Sequence, residues 1–155
     1  MYMKKYIPYI ISILIALGVG GLSALLTAPN MDIYETIVSP PLAPPRWLFP
    51  IVWTILYILM GVSSAMIFSS NSPKKDDALF TYAVSLVLNF GWSIFFFNMQ
   101  AFWISIVVLV ALWLCILVTI VKYYKINKTA SWLQLPYLAW VTFAGYLNIA
   151  IAILN

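Results

Sequence analysis

Charged residues are scarce in this sequence: they make up only 8% of its 155 residues, while hydrophobic residues make up 65%. Soluble domains contain roughly 25% charged and about 45–50% apolar residues. The mean hydropathy is +1.01, and the long apolar runs lack the alternation that is typical of a membrane β-barrel. We therefore predict an all-α integral membrane protein that forms one transmembrane domain over residues 1–155.

Histidine is absent, and Cys115 is the single cysteine. A lone cysteine excludes an intrachain disulfide. Without histidine, the chain lacks the commonest metal ligand, the commonest general base and the usual proximal ligand of haem iron. The sequence also contains no phosphate-binding loop, no nucleophile–base pair and no cluster of metal ligands. We predict no metal site, no bound cofactor and no conventional acid–base enzyme.

Acidic and basic residues are missing from the centres of the apolar runs. Proton pumps, voltage sensors and channels with charged filters mark their paths with such groups, so this absence argues against all three. The net charge of +4 comes from short lysine clusters beside the apolar runs. Such clusters are typical of membrane orientation and do not indicate nucleic-acid binding.

The apolar runs predict a bundle of five transmembrane helices. The region from Ala78 to Ile120 contains no charged residue and is long enough for two spans of about 20 residues. Its one polar break, Asn98-Met99-Gln100, predicts a tight turn. The predicted helices cover residues 6–28, 46–68, 78–97, 101–123 and 130–154, and a lid loop covers residues 29–45.

The first apolar run resembles a secretory signal peptide because two lysines precede it and small residues end it. It is longer than a typical signal core, and no hydrophilic domain follows it, so we interpret it as the first span. Small residues recur along it at every fourth position. This stripe favours close helix packing inside the bundle over dimerisation; its members are Ala16, Gly20, Ala24 and Ala28.

The distribution of lysines supports five spans and predicts the orientation. With five spans, seven lysines fall on one face and only Arg46 lies on the other. The positive-inside rule then places the N-terminus in the cytoplasm and the C-terminus outside. The seven are Lys4, Lys5, Lys74, Lys75, Lys122, Lys125 and Lys128.

A proline-rich stretch leads into the second predicted helix. Prolines in residues 40–45 exclude a helix and predict a stiff, extended rim, whereas Pro50 is tolerated in the first helical turn. Trp53 and Tyr57 follow, four residues apart on one helix face. The pattern is compatible with the mouth of a ligand pocket, and equally with a loop followed by interfacial aromatic residues.

Amide, hydroxyl and aromatic side chains mark three of the predicted spans. Two interpretations of the amides stay open: Asn89 and Asn148 bond across helices to hold the bundle together, or they face a cavity for a flat, mostly apolar ligand. The other members of this set are Trp53, Tyr57, Trp92, Ser93, Phe96, Tyr137, Trp140 and Ala144.

Three motifs closely resemble the tryptophan-rich sensory protein family, the bacterial branch of the translocator protein or peripheral-type benzodiazepine receptor family. They occur in order and cover nearly the whole chain. The motifs are PPRWLFPIVWTILY at 44–57 with Met60-Gly61, NFGWS at 89–93 with Phe95-Phe96, and PYLAW at 136–140 with Phe143-Ala144 and Leu147-Asn148.

The resemblance implies a homodimeric five-helix bundle in the bacterial cell membrane. It implies that porphyrins such as protoporphyrin IX, and isoquinoline carboxamide or benzodiazepine-type drugs, bind in a cavity under the first loop. Cholesterol binding is not expected, because residues 147–152 lack the tyrosine and the basic residue of the animal motif. By position, the implied pocket residues are Tyr34, Trp53, Tyr57, Asn89, Trp92, Phe96, Trp140, Ala144 and Leu147.

Aromatic side chains suit a flat macrocycle, because indole and phenyl faces stack against it. A metal-free porphyrin is the expected ligand, since iron would lack a histidine. Arg46 is the expected partner of the propionates, because it is the one basic residue on that face.

The lead hypothesis is a membrane receptor or carrier in tetrapyrrole homeostasis or stress response. A second is enzyme-like: light- or oxidant-driven breakdown of the porphyrin, with Trp53 and Trp140 as redox-active neighbours. The third, active transport, lacks coupling residues.

Overall fold

The computed structural model describes residues 2–155, and side chains are described for all of these except Tyr2 and Tyr34. Five helical segments in this part of the chain are long and apolar enough to cross a membrane. The predicted all-α, five-span architecture is therefore confirmed. The α-helices are α1 (Tyr2–Thr27), α2 (Ile33–Thr36), α3 (Leu48–Phe68), α4 (Lys75–Ser93), α5 (Phe102–Tyr124), α6 (Lys128–Leu133) and α7 (Leu135–Leu154).

The third span begins at Lys75, three residues before the predicted start. Asp76 and Asp77 lie in its first turn, where carboxylates interact favourably with the free N–H groups and the positive end of the helix dipole. Charged residues that were assigned to the connecting turn are therefore part of the helix.

The fifth span is not one continuous helix, as predicted, but two. α6 ends at Leu133 and α7 begins at Leu135. Pro136 causes this break, because proline has no N–H to donate and its ring clashes with the carbonyl of the residue four positions earlier. Asn127 caps α6, its side-chain oxygen accepting a bond from the Ala130 N–H at 3.1 Å.

The turn between α4 and α5 lies where it was predicted from the polar break Asn98-Met99-Gln100. A π turn (Ile94–Asn98) leads into it. Met99 N–H donates to the Ile94 carbonyl, five residues earlier, at 3.1 Å. The wider turn brings two consecutive side chains inward, so that Phe96 and Phe97 are only 2% and 8% exposed.

The lid loop is more structured than the predicted extended rim. It contains a 3-10 turn (Ala28–Asn30) and the short helix α2. Within the proline-rich stretch, Ala43 N–H bonds to the Pro40 carbonyl at 3.3 Å, and Leu42 has a φ of 69°. Proline at the second position and a positive φ at the third define a type II turn. The prediction that residues 40–45 are extended throughout is therefore wrong.

The bundle packs α1 against α3, α4 against α5, and α5 against α7. Glycines allow the first of these contacts to be close. A Cβ added to Gly61 would overlap the backbone of Ile13, and one added to Gly20 would overlap the Tyr57 ring. The stripe on α1 contributes to this packing, since Ala16 is completely buried.

Adding one methyl group at Gly61 is expected to destabilise the bundle. Gly61→Ala forces α1 away from α3, and overpacking of this kind costs typically 1–3 kcal/mol. Gly21→Ala is the matched control, since nothing lies within 4 Å of a Cβ there. Thermal unfolding in detergent, followed by circular dichroism, should give a lower midpoint for Gly61→Ala alone. Equal midpoints for the two variants would contradict the close packing of α1 and α3.

Candidate functional site

A cavity of about 690 Å³ lies beneath the lid, between α1, α3, α4 and α7. Its volume is in the range of roughly 300–1,000 Å³ that is usual for small-molecule sites. Its wall is mainly apolar and aromatic. The lining residues are Gly20, Ser23, Ala24, Thr27, Ala28, Met31, Arg46, Trp47, Phe49, Pro50, Trp53, Tyr57, Asn89, Trp92, Ser93, Phe96, Phe97, Trp140, Ala144, Leu147 and Asn148.

The structure brings eight of the nine predicted pocket residues to this one cavity. The ninth, Tyr34, belongs to α2, and its side chain lies outside the described residues. Arg46 also lines the cavity. That these residues contact a ligand stays a prediction. The eight are Trp53, Tyr57, Asn89, Trp92, Phe96, Trp140, Ala144 and Leu147.

Asn89 joins three helices beside the cavity. Its side-chain N–H donates to the hydroxyl of Tyr57 on α3 at 3.1 Å and to that of Tyr137 on α7 at 3.3 Å. Tyr137 is 1% exposed and lies behind the cavity wall. The Asn89 amide therefore has a structural role in holding the bundle, and it lines the cavity as well.

Asn148 makes a second connection, between α7 and both α4 and α5. Its oxygen accepts bonds from the Trp92 indole N–H at 2.9 Å and from the Ser105 hydroxyl at 3.0 Å. Its N–H donates to the Phe102 carbonyl at 3.1 Å. The two interpretations of the asparagines are thus compatible, since both residues bond across helices and both line the cavity.

Aromatic rings form the walls from three sides. On α3 the rings of Trp53 and Tyr57 are 5.6 Å apart. On α4 and the π turn that follows it, the Trp92 ring is stacked on that of Phe96 at 5.5 Å, and α7 contributes the ring of Trp140. These centroid separations lie in the range of favourable ring contacts. The surfaces suit a planar, apolar guest.

The contribution of α1 was missed by sequence reasoning. Gly20, Ser23 and Thr27 all line the cavity, although the small-residue stripe was interpreted as a packing surface alone. The spacing of Ser23 and Thr27 four residues apart was the signal available. Phe97 was also missed, because its inward position depends on the π turn.

The rim of the cavity carries the charged groups of the lid. The Arg46 guanidinium lies 3.3 Å from the Asp32 carboxylate and 3.5 Å from that of Glu35. All three side chains are largely exposed, and exposed pairs contribute little to stability, about 0.2–1 kcal/mol. The cation that sequence analysis assigned to ligand propionates is therefore shared with two carboxylates.

Neutral groups make up most of the lining of the cavity. Besides the Arg46 guanidinium, the lining offers amides, indoles, hydroxyls and apolar side chains. Within the described residues, no group of three or more His, Cys, Asp or Glu side chains is placed to hold a metal ion.

A five-span helical bundle with an aromatic cavity under its first loop defines this protein as an integral membrane protein with a candidate ligand-binding site. The model of the TspO/MBR family matches residues 11–154. The chain is 41% identical to a "Tryptophan-rich protein TspO" of Chlorobaculum tepidum, over 94% of this chain and 92% of that protein. The chain therefore belongs to the TspO/MBR family.

Other relatives span wide evolutionary distances. A "Tryptophan-rich protein TspO" of Archaeoglobus fulgidus is 38% identical over 93% of this chain and 94% of its own. The "Translocator protein" of Bos taurus is 34% identical over 74% of this chain and 70% of its own. Family membership supports a membrane sensory or transport-related role.

Proposed function

We propose that the protein is a membrane receptor or carrier that binds metal-free porphyrins such as protoporphyrin IX, and isoquinoline carboxamide or benzodiazepine-type compounds, in tetrapyrrole homeostasis or stress response. The observation that carries this proposal is one cavity lined by aromatic rings from α3, α4 and α7. Its volume of about 690 Å³ suits a drug-sized or larger planar molecule.

The binding mode follows from the two ends of the site. Deep in the cavity, Trp53 and Trp92 offer ring faces that stack on an apolar macrocycle. At the rim, Arg46 offers charged donors that suit carboxylates. A porphyrin has both features, since its flat ring carries two propionates on one edge. The ring is expected to lie within the bundle and the propionates to face the lid.

Replacing cavity tryptophans is expected to weaken porphyrin binding. Trp53→Phe and Trp140→Phe each remove part of a stacking surface worth about 0.5–1.5 kcal/mol, so the dissociation constant should rise roughly two- to tenfold. The shift of the porphyrin absorption band on titration into detergent-solubilised protein measures this, because it does not depend on the number of tryptophans.

Trp103→Phe and Trp132→Phe are the matched controls. Both indoles are more than half exposed, and neither lines the cavity. If the cavity variants bind porphyrin as tightly as these controls do, the cavity is not the porphyrin site.

Substitutions at the rim give a second test, which distinguishes the contribution of the porphyrin ring to binding from that of its propionates. The double variant Asp32→Asn, Glu35→Gln releases Arg46 from its two ion pairs, so protoporphyrin should bind about two- to fivefold more tightly, as expected for exposed pairs. Arg46→Gln should weaken binding by a similar factor. Affinities come from the same absorption titration.

Protoporphyrin dimethyl ester is the control ligand, because it keeps the ring and lacks the carboxylates. Its affinity should be unchanged in both variants. A parallel change for the acid and the ester would show that Arg46 acts on the shape of the lid and not on the propionates.

The orientation proposed for the protein in the cell membrane has the N-terminus in the cytoplasm and the C-terminus outside. It is supported by the position of the lysines at the α1 start, the α3–α4 turn and the α5–α6 turn, which share one end of a five-span bundle. Alkaline phosphatase fused after Asn155 should be active, since it folds only outside the cytoplasm. Activity of the enzyme in a fusion to the α3–α4 turn instead would reverse the orientation.

A further inference from the structure

The lid is fixed against α7 by the side chains of Tyr146 and Asn155. Asn155 forms two bonds with the backbone of Val38: its side-chain oxygen accepts from the Val38 N–H at 3.0 Å, and its side-chain N–H donates to the Val38 carbonyl at 3.3 Å. The Tyr146 hydroxyl donates to the Pro41 carbonyl at 2.6 Å. We call residues 38–43 the lid turn.

These bonds show which way the lid turn runs. Asn155 follows the last residue of α7, Leu154, whereas Tyr146 lies eight residues before it, about 12 Å back along the helix axis. The three steps from Val38 to Pro41 span at most roughly 10 Å, and the side chains of Asn155 and Tyr146, which carry the bonded atoms, cover the remaining distance. The lid turn therefore descends beside the final two turns of α7 and does not project away from the bundle.

The depth of the lid turn in the bilayer can be estimated from the length of the fifth span. The span Lys128–Leu154 contains 27 residues in two helices and is therefore at most about 40 Å long, against roughly 30 Å of hydrocarbon in a bilayer. Each end therefore extends by at most about 5 Å beyond the hydrocarbon. The lid turn starts at Val38, which is bonded to Asn155 at the lid end of α7, and runs toward Tyr146, whose Cα lies about 12 Å back along the axis and hence about 7 Å inside the hydrocarbon. The lid turn therefore crosses the boundary between headgroups and acyl chains.

The backbone of the lid turn is suited to that boundary. Prolines occupy four of the six positions in 40–45, so only Leu42 and Ala43 carry an N–H. The Ala43 N–H is bonded to Pro40, and the Pro41 carbonyl is bonded to Tyr146. No charged residue lies between Glu35 and Arg46. The four prolines leave this segment with fewer N–H donors to desolvate on entering lipid than another loop of the same length would have.

Leu42 is the most informative residue of the lid turn. Its φ of 69° is a conformation that glycine adopts freely and leucine does not. Its side chain is 82% exposed, so contacts within the fold do not offset this strain. Tyr146, which is bonded to the lid turn, belongs to an exposed face of α7 that also contains Ile149 and Ile153. The apolar surface therefore continues from the lid turn to the lipid-facing side of the bundle.

We propose that the lid turn is embedded in the bilayer at the boundary between headgroups and acyl chains, with Leu42 as its anchor and Tyr146 as its tether. Leucine at a turn position that favours glycine is then explained, because lipid and not water surrounds its side chain. The cover of the cavity is held partly by the membrane itself. This inference does not depend on the identity of the ligand.

Spin labels on single cysteines test this placement directly. In a Cys115→Ser background, Leu42→Cys is labelled in the full-length protein and reconstituted into phosphatidylcholine liposomes. The readout is relaxation of the label by oxygen, which concentrates in lipid, against relaxation by a water-soluble nickel chelate. Ile149→Cys, on the exposed face of α7, serves as the lipid-facing reference and Glu35→Cys as the water-facing one.

The label at position 42 should resemble that at 149, with oxygen access several-fold above that at position 35. Adding Tyr146→Phe removes the tether with little change in shape, and should raise nickel access at position 42 several-fold. A label at 42 that behaves like the one at 35 would overturn the embedded lid turn. Unchanged access in the Tyr146→Phe variant would overturn the role of Tyr146 as its tether.

Discussion

Two buried asparagines bond to side chains on neighbouring helices in a part of the molecule where a bilayer would supply no water. Asn89 connects α4 with α3 and α7, and Asn148 connects α7 with α4 and α5. Each bond contributes little, since such bonds average about 0.6 kcal/mol in a measured membrane protein. Their directionality matters more than their strength, because each fixes how a helix is rotated about its axis.

The aromatic surface of the cavity depends on that rotation. Trp92 lies on the same helix as Asn89 and is itself bonded to Asn148, so the indole cannot turn away without breaking a buried bond. Among the described residues, only the Tyr82 hydroxyl and the Gln134 side-chain oxygen are buried without a partner. Polar groups inside the bundle thus determine the shape of a space whose own lining is mostly apolar.

Local periodicity explains what could be predicted from the sequence. The five spans follow from apolar length, one polar break and the distribution of lysines, and residues such as Trp53 and Tyr57 share a face because the helix repeat places them there. The other features depend on distant partners. Gly20 lies against the Tyr57 ring and lines the cavity with it, and no pattern within α1 specifies this neighbour.

The lid and the π turn illustrate the same limit. Leu42 gives no sign in the sequence of a positive φ, since glycine or asparagine is usual there, and its turn is tied to Tyr146, more than 100 residues away. Phe97 faces inward only because the helix widens by one residue at Ile94–Asn98. The π turn is joined to the lid by Asn98, whose side-chain oxygen accepts a bond from the Asn30 side-chain N–H at 2.8 Å.

The wall that α1 contributes has a consequence for how guests are selected. On the other sides the cavity is bounded mainly by large rings held by contacts and hydrogen bonds, whereas along α1 and the start of the 3-10 turn that follows it the boundary consists of Gly20, Ser23, Ala24, Thr27 and Ala28. A methyl group gained or lost at Ala24 or Ala28 would alter the dimensions of the chamber and leave its aromatic framework in place. If the proposed site binds a ligand, the largest molecule that it admits can therefore change through substitutions on this one wall, while the tryptophans stay the same.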